Sequence, residues 1–157
     1  MTGLTKNRND NVLALLRIAV GVFFVIFGQY KVFGTQFTLH GGFEGYVNRW
    51  LEHGGTYPFM VGMLRDVVLA HAHVFAFAVA YGELLIGIGL VLGILTRWAA
   101  FFGLLLMLAM LFSGDYPGAG AAFWQYFGAS LNHSVFALCF VAMLFGEADR
   151  ALSVKGR

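Results

Sequence analysis

Apolar residues in this chain come in long runs, without the alternation that marks a strand or helix facing water on one side. The first run covers residues 12–33 and is broken only by Arg17, Gln29 and Lys31. As a helix rising 1.5 Å per residue it crosses a hydrocarbon core of about 30 Å. A second run, residues 67–95, contains Glu83 as its only carboxylate. It is longer than the roughly 20 residues a span needs, so its start lies outside the core or the helix tilts. A third run occupies residues 98–112 after the turn Thr96-Arg97, and a fourth residues 131–145, short unless residues 123–130 contribute. The pattern predicts an all-α integral membrane protein, a four-helix bundle with spans near 12–33, 70–95, 97–113 and 131–146. Residues 1–157 then form a single transmembrane domain.

Composition agrees, since 59% of residues are hydrophobic and 11% charged, against roughly 25% charged in ordinary globular proteins. Mean hydropathy is +0.75, which leaves too few polar residues to cover a surface in water. The net charge of +2 comes without a basic cluster, so nucleic acid is excluded as a partner. Cys139 is the one cysteine and lies in an apolar run; it reads as a small buried residue, which removes dithiol redox chemistry. The 21 glycines read as close helix packing in membrane lipid.

Lys6, Arg8, Arg17, Arg97, Arg150, Lys155 and Arg157 fall on one side of the spans, and Lys31, Arg49 and Arg65 on the other. The positive-inside rule places both termini of this multi-pass protein in the cytoplasm. The first apolar run exceeds a signal-peptide core of about 7 to 15 residues and has no small-residue cleavage site, so it is expected to be retained. Arg17, about one turn inside the boundary, is expected to snorkel to the headgroups, and Arg97 to anchor the tight turn. In the long loop 34–66, Phe43, Tyr46, Val47, Trp50 and Leu51 share one helical face. They predict a short interfacial helix ended by Gly54-Gly55, with Pro58 opening the next helix. An amphipathic lid over the bundle is the plainer reading of the same stripe.

Glu83 is the most informative residue, because a charged group near mid-membrane costs on the order of 2.5 to 3.5 kcal/mol unless it is paired, hydrated or neutralised. It serves either as a packing contact, with Lys31 or Gln29 as partner, or as a proton-exchanging or ligand-binding carboxylate. Gln29, Tyr30 and Lys31 end the first span, His71 and His73 begin the second, and Asn132 and His133 begin the fourth. One outward cavity could gather them. Glu83 and Lys31 are the catalytic candidates; Gln29, Tyr30, His73, Asn132 and His133 are the candidates for binding a cofactor. His73 with His133 would meet the two-helix requirement of haem, but interfacial or hydrogen-bonded histidines are the commoner case and haem is disfavoured. No metal site is expected. Gly89-Leu90-Val91-Leu92-Gly93 is a literal GxxxG in a helix with Ala72, Ala76, Ala80 and Gly87.

Leu15-Leu16-Arg17-Ile18-Ala19-Val20-Gly21, Gly28-Gln29-Tyr30-Lys31-Val32-Phe33-Gly34 and Gly82-Glu83-Leu84-Leu85-Ile86-Gly87, the last continuing to Thr96-Arg97, together resemble the DoxX family. That family includes DoxD-type membrane subunits of thiosulfate:quinone oxidoreductase and terminal quinol oxidase. The resemblance covers the first two spans and the start of the third. It implies a bacterial or archaeal four-helix protein of the cytoplasmic (inner) membrane associated with quinone-linked redox chemistry, with quinone as the cofactor. The long outer loop with Trp50 and His53-Gly54-Gly55 is larger than in compact members and closer to the DoxD layout.

The resulting expectation is a membrane subunit of a quinone-linked oxidoreductase, thiosulfate:quinone oxidoreductase being the named case, with Glu83 as its intramembrane proton-exchanging or ligand-binding group. Its partners are membrane lipid and another protein subunit or a second copy of the chain, because no electron carrier is recognisable in the sequence. The alternative is a non-catalytic adaptor or assembly subunit of a larger membrane complex. A small-solute transporter fits less well, since no broken helix or inverted repeat is evident.

Overall fold

A computed structural model describes residues 2–127 and 132–154. It is all-helical, with no strand among the described residues. Helix α1 (Thr2–Phe33) is followed by three short helices, α2 (Gln36–Leu39), α3 (Gly42–Glu52) and α4 (Pro58–Met63), the last running into a π-helical turn, Leu64–Val68. Then come α5 (Ala72–Leu92), α6 (Thr96–Gly114), a 3₁₀ turn (Phe123–Phe127) and α7 (Asn132–Phe145). Among the described residues three helices are long and apolar enough to cross a membrane: Arg8–Phe33 within α1, α5 and α6. Helix α7, at 14 residues, is roughly 21 Å long. Leu131, where the fourth span was expected to begin, lies outside the described residues, as do Lys155 and Arg157.

The sequence run 67–95 is two pieces. The Leu69 amide bonds the Leu64 carbonyl five residues back, the mark of a π turn, and His71 leaves helical geometry with φ −124°. The membrane helix therefore begins at Ala72. It ends at Leu92, where Gly93 takes φ +71° and Leu95 φ +52°. The turn expected at Thr96-Arg97 is thus Gly93–Leu95, and Thr96 already opens α6. Gly89-xxx-Gly93 forms this turn, with the Ile94 amide donating to the Gly89 carbonyl.

Close backbone contact falls elsewhere. Gly21 and Gly28 of α1 lie against Leu90 and Leu84 of α5, and Gly87 of α5 lies against Val25, so a Cβ at any of the three would meet main-chain or Cβ atoms. On α5, Ala72, Ala76, Ala80, Glu83, Gly87 and Leu90 form the buried stripe, at the three- and four-residue spacing of one helix face. Helix α7 docks on α6 by setting the Phe140 ring over Gly103.

Two apolar cores result. Val20, Phe24, Ile86, Leu90, Ala100, Met107, Phe140 and Met143 form one toward the Gly93 end. Phe43, Val47, Leu64, Val68, Ala72 and Ala76 form the other, with Trp50 and Leu51 packed against it. Most of the α3 stripe is thus spent on α5 and the turn before it. The lid reading describes this contact, while Tyr46 stays half exposed. Pro58 stands at the first position of α4, as its fixed φ and missing N–H favour.

Many large apolar side chains remain uncovered, among them Val12, Phe23, Phe27, Leu85, Leu105 and Leu138. Such a belt is compatible with lipid and not with water.

Candidate functional site

Glu83 is 6% exposed, and its position on the buried stripe of α5 turns it toward α1. Lys31, one turn beyond Gly28, meets it: the Lys31 ammonium donates to Glu83 Oε1 at 2.5 Å. The other carboxylate oxygen, Oε2, is buried without a hydrogen-bond partner. The Lys31 nitrogen also lies 5.0 Å from the centre of the Phe37 ring, a cation–π distance. Of the two partners anticipated for Glu83, the structure takes Lys31.

Beside this pair is a cavity of about 350 Å³. Phe23, Phe24 and Phe27 of α1 and Phe136 of α7 give it an aromatic wall, and Met107 of α6 lines it too. Lys31, Glu83, Asn132 and His133 supply its polar groups. The rings pack edge to face, Phe24 on Phe136 at 6.0 Å and Phe23 on Phe136 at 6.1 Å between centres. Phe23 and Phe27 are half exposed on the apolar belt, so the cavity opens sideways toward lipid.

His133 is not alone. Its Nδ1–H donates to Asp115 Oδ2 at 2.6 Å. Asp115 follows the last residue of α6 and is fixed by the loop around it. The Tyr116 amide donates to the Gly55 carbonyl at 2.7 Å, the Thr56 hydroxyl to the Ser113 carbonyl at 2.8 Å, and the Tyr57 amide to the Phe112 carbonyl at 3.0 Å. The Tyr57 hydroxyl donates to the Tyr126 carbonyl at 2.8 Å. Burial, with Tyr126, Asp115 and Tyr116 nearby, pushes the Tyr57 hydroxyl above its ordinary pKa. Sequence reasoning did not single out Asp115; the available signal was a carboxylate placed directly after an apolar span.

The other sequence candidates fall outside the cavity. Gln29 is exposed, and Tyr30 is 81% exposed. The helix rotation that points Gly28 and Lys31 at α5 turns both of them outward. His73 donates through Nδ1 to the Thr38 carbonyl at 3.3 Å, under the α2–α3 cover, and does not share a pocket with His133. His71 bonds back to the Val67 carbonyl at the break before α5.

Arg17 overturns its expectation. It is fully buried, and its guanidinium donates to the carbonyls of Ala148 at 3.1 Å and Leu152 at 2.5 Å. The snorkelling path is closed because the segment after α7 folds over it, with the Val154 amide bonded to the Leu92 carbonyl. Among the described residues no group of three or more histidine, cysteine, aspartate or glutamate side chains could hold a metal ion.

The family model described as DoxX matches residues 12–115. The chain belongs to the DoxX family. In this DoxX protein the match runs from α1 to Asp115, so it includes Arg17, Lys31 and Glu83, while His133 lies beyond it. DoxX membership and the apolar helices together make the chain a membrane protein. No curated protein and no solved structure matches it.

Proposed function

We propose that this chain is the membrane subunit of a quinone-linked oxidoreductase, and that the cavity beside Lys31 and Glu83 takes the quinone ring. The observation that carries the reading is the pairing of chemistries within about 350 Å³. An aromatic wall accepts a flat apolar ring, and an ammonium at its polar end can donate to a carbonyl oxygen. Glu83 holds the Lys31 nitrogen in place. The half-exposed Phe23 and Phe27 give a lipid-soluble ligand its way in, and the isoprenoid tail stays along the belt.

Reduction of a quinone needs a donor, and a reduced sulfur oxyanion of the thiosulfate type is the substrate proposed from the family resemblance. Two such anions join through a new sulfur–sulfur bond and release two electrons, which with two protons convert the quinone to quinol. Arg49 and Arg65, on the Lys31 side, are the cations available to attract the anion. The chain itself shows no electron carrier motif, so a second subunit supplies the electron route. The topology that goes with this is four spans in a bacterial or archaeal cytoplasmic membrane, α7 completing the fourth, with both termini cytoplasmic. Helix α3 then lies at the outer interface.

The test is titration of the purified protein with a short-tailed ubiquinone analogue. Saturable one-to-one binding that Lys31→Met weakens at least tenfold is the expected result. Its absence, together with a stoichiometric co-purifying subunit, would replace the reading by the adaptor. Cysteine labelling in whole cells checks the orientation: His53→Cys should react with an impermeant reagent and Val154→Cys should not.

A further inference from the structure

Glu83 is engaged by Lys31, which makes it a poor group to carry protons in and out of the cavity. His133 is placed differently. It lines the cavity, and its Nδ1 is committed to Asp115 at 2.6 Å, which leaves Nε2 as the nitrogen able to meet a ligand. About a quarter of its side chain is exposed, twice the share of Asp115. We propose that His133 is the proton-exchanging group of the cavity and that Asp115 is its positioning residue, fixing the ring's tautomer and direction.

This rests on the quinone reading above. In the step itself, the His133 imidazolium gives its Nε2 proton to a quinone oxygen as the electrons arrive from the reduced sulfur oxyanion. The C=O bond becomes C–OH, and the ring is left neutral with Nδ1–H still on Asp115. Water at the exposed edge of the ring restores the Nε2 proton, and the opposite quinone oxygen takes the second proton from solvent, which completes the quinol. The arrangement is a carboxylate-oriented imidazole, a general acid–base form that needs a fixed ring and one free nitrogen. Asp115 is held independently of His133, since the bonds Tyr116 to Gly55 and Thr56 to Ser113 flank it. The charged and titratable groups facing His133 are Asp115 from the end of α6, Glu83 from α5 and Lys31 from α1; Tyr57 stands behind Asp115. Protons then enter and leave on the Asp115 side of the cavity.

The experiment measures the dissociation constant of the short-tailed ubiquinone analogue from pH 5 to 9 in the full chain. Wild-type protein should bind more tightly at low pH, because the imidazolium donates to a carbonyl oxygen, and proton uptake should accompany binding in paired buffers of different ionisation enthalpy. Asp115→Asn should flatten this pH dependence, since the ring then loses the carboxylate that fixes its direction. Asp115→Glu should restore it in part, and His133→Gln should remove it. Quinone binding that is flat across this range, or the same profile in Asp115→Asn and wild type, overturns the proposal and leaves the quinone reading standing. A wild-type protein that binds no quinone overturns that reading instead. Should Asp115→Asn fail to fold, proton uptake that persists in His133→Gln would overturn the proposal equally.

Discussion

Helix α1 turns two cations into the bundle, and their surroundings differ. Arg17 and Lys31 are separated by roughly 21 Å along the helix at 1.5 Å per residue. Arg17 is fully buried, and two carbonyls of the returning C-terminal segment bind its guanidinium. Lys31 meets a carboxylate, keeps a quarter of its side chain exposed and borders open space. A charge inside a membrane helix marks function by default; here the two sites separate by what adjoins them. Backbone carbonyls filling the space around a guanidinium make a joint. A cavity beside an ammonium makes a place for a ligand.

The sharpest way to break this comparison is to unpair Lys31. Lys31→Met leaves Glu83 as a lone buried carboxylate and should lower stability by about 3 to 5 kcal/mol in thermal or denaturant unfolding in detergent. Adding Glu83→Gln should recover part of the loss, because neither charge is then left unpaired. Failure of the double variant to recover anything would mean that the pair is not the coupled unit the geometry shows.

Arg17→Met should cost about 3 kcal/mol, the scale of two charge-assisted hydrogen bonds. Quinone binding per folded molecule should stay unchanged. Equal losses of binding at Arg17 and Lys31 would erase the distinction between joint and ligand site.

The Lys31 end has its own closure through Tyr57. Tyr57→Phe removes the bond to the Tyr126 carbonyl and should cost about 1 kcal/mol. The folded-state pKa of Tyr57 is raised, so its contribution is present below the ordinary tyrosine value and is lost as pH rises through the higher folded value. Stability of the wild type should therefore fall more steeply on the alkaline side than that of Tyr57→Phe, as unfolding at pH 8 and pH 11 would reveal. The smallest effect is expected from Phe27→Ala, on the lipid-facing wall. Stability should change by no more than about 0.5 kcal/mol while quinone affinity drops several-fold.

Much of this was readable from the chain. Runs of apolar residues located the long helices, and the cost of an unsatisfied carboxylate in lipid already argued for an inward Glu83. Lys31 was named, beside Gln29, as a candidate partner from order along the chain alone. What periodicity could not provide was rotation at helix ends. Gln29, Tyr30 and Lys31 are consecutive, yet only Lys31 faces α5, because neighbours on a helix point about 100° apart. Nor does hydropathy show which loop folds over which helix. Arg17 was assigned to the headgroups because its partners, Ala148 and Leu152, are carbonyls, and every residue has one. Asp115 was missed for a related reason: its role depends on His133, brought to it from across the 3₁₀ turn.

The Arg17 joint also constrains how the protein is made. Its first partner lies 131 residues downstream, and at about 5 to 20 residues per second that stretch takes roughly 7 to 26 s to synthesise. During this interval the first span sits in or near the membrane with an unanswered guanidinium. The ribosome must pass Leu152 before the charge is enclosed. Assembly of the bundle therefore waits for the segment after α7, and a nascent chain stalled before Ala148 should remain a substrate for quality-control proteolysis even though its longest helices are already synthesised.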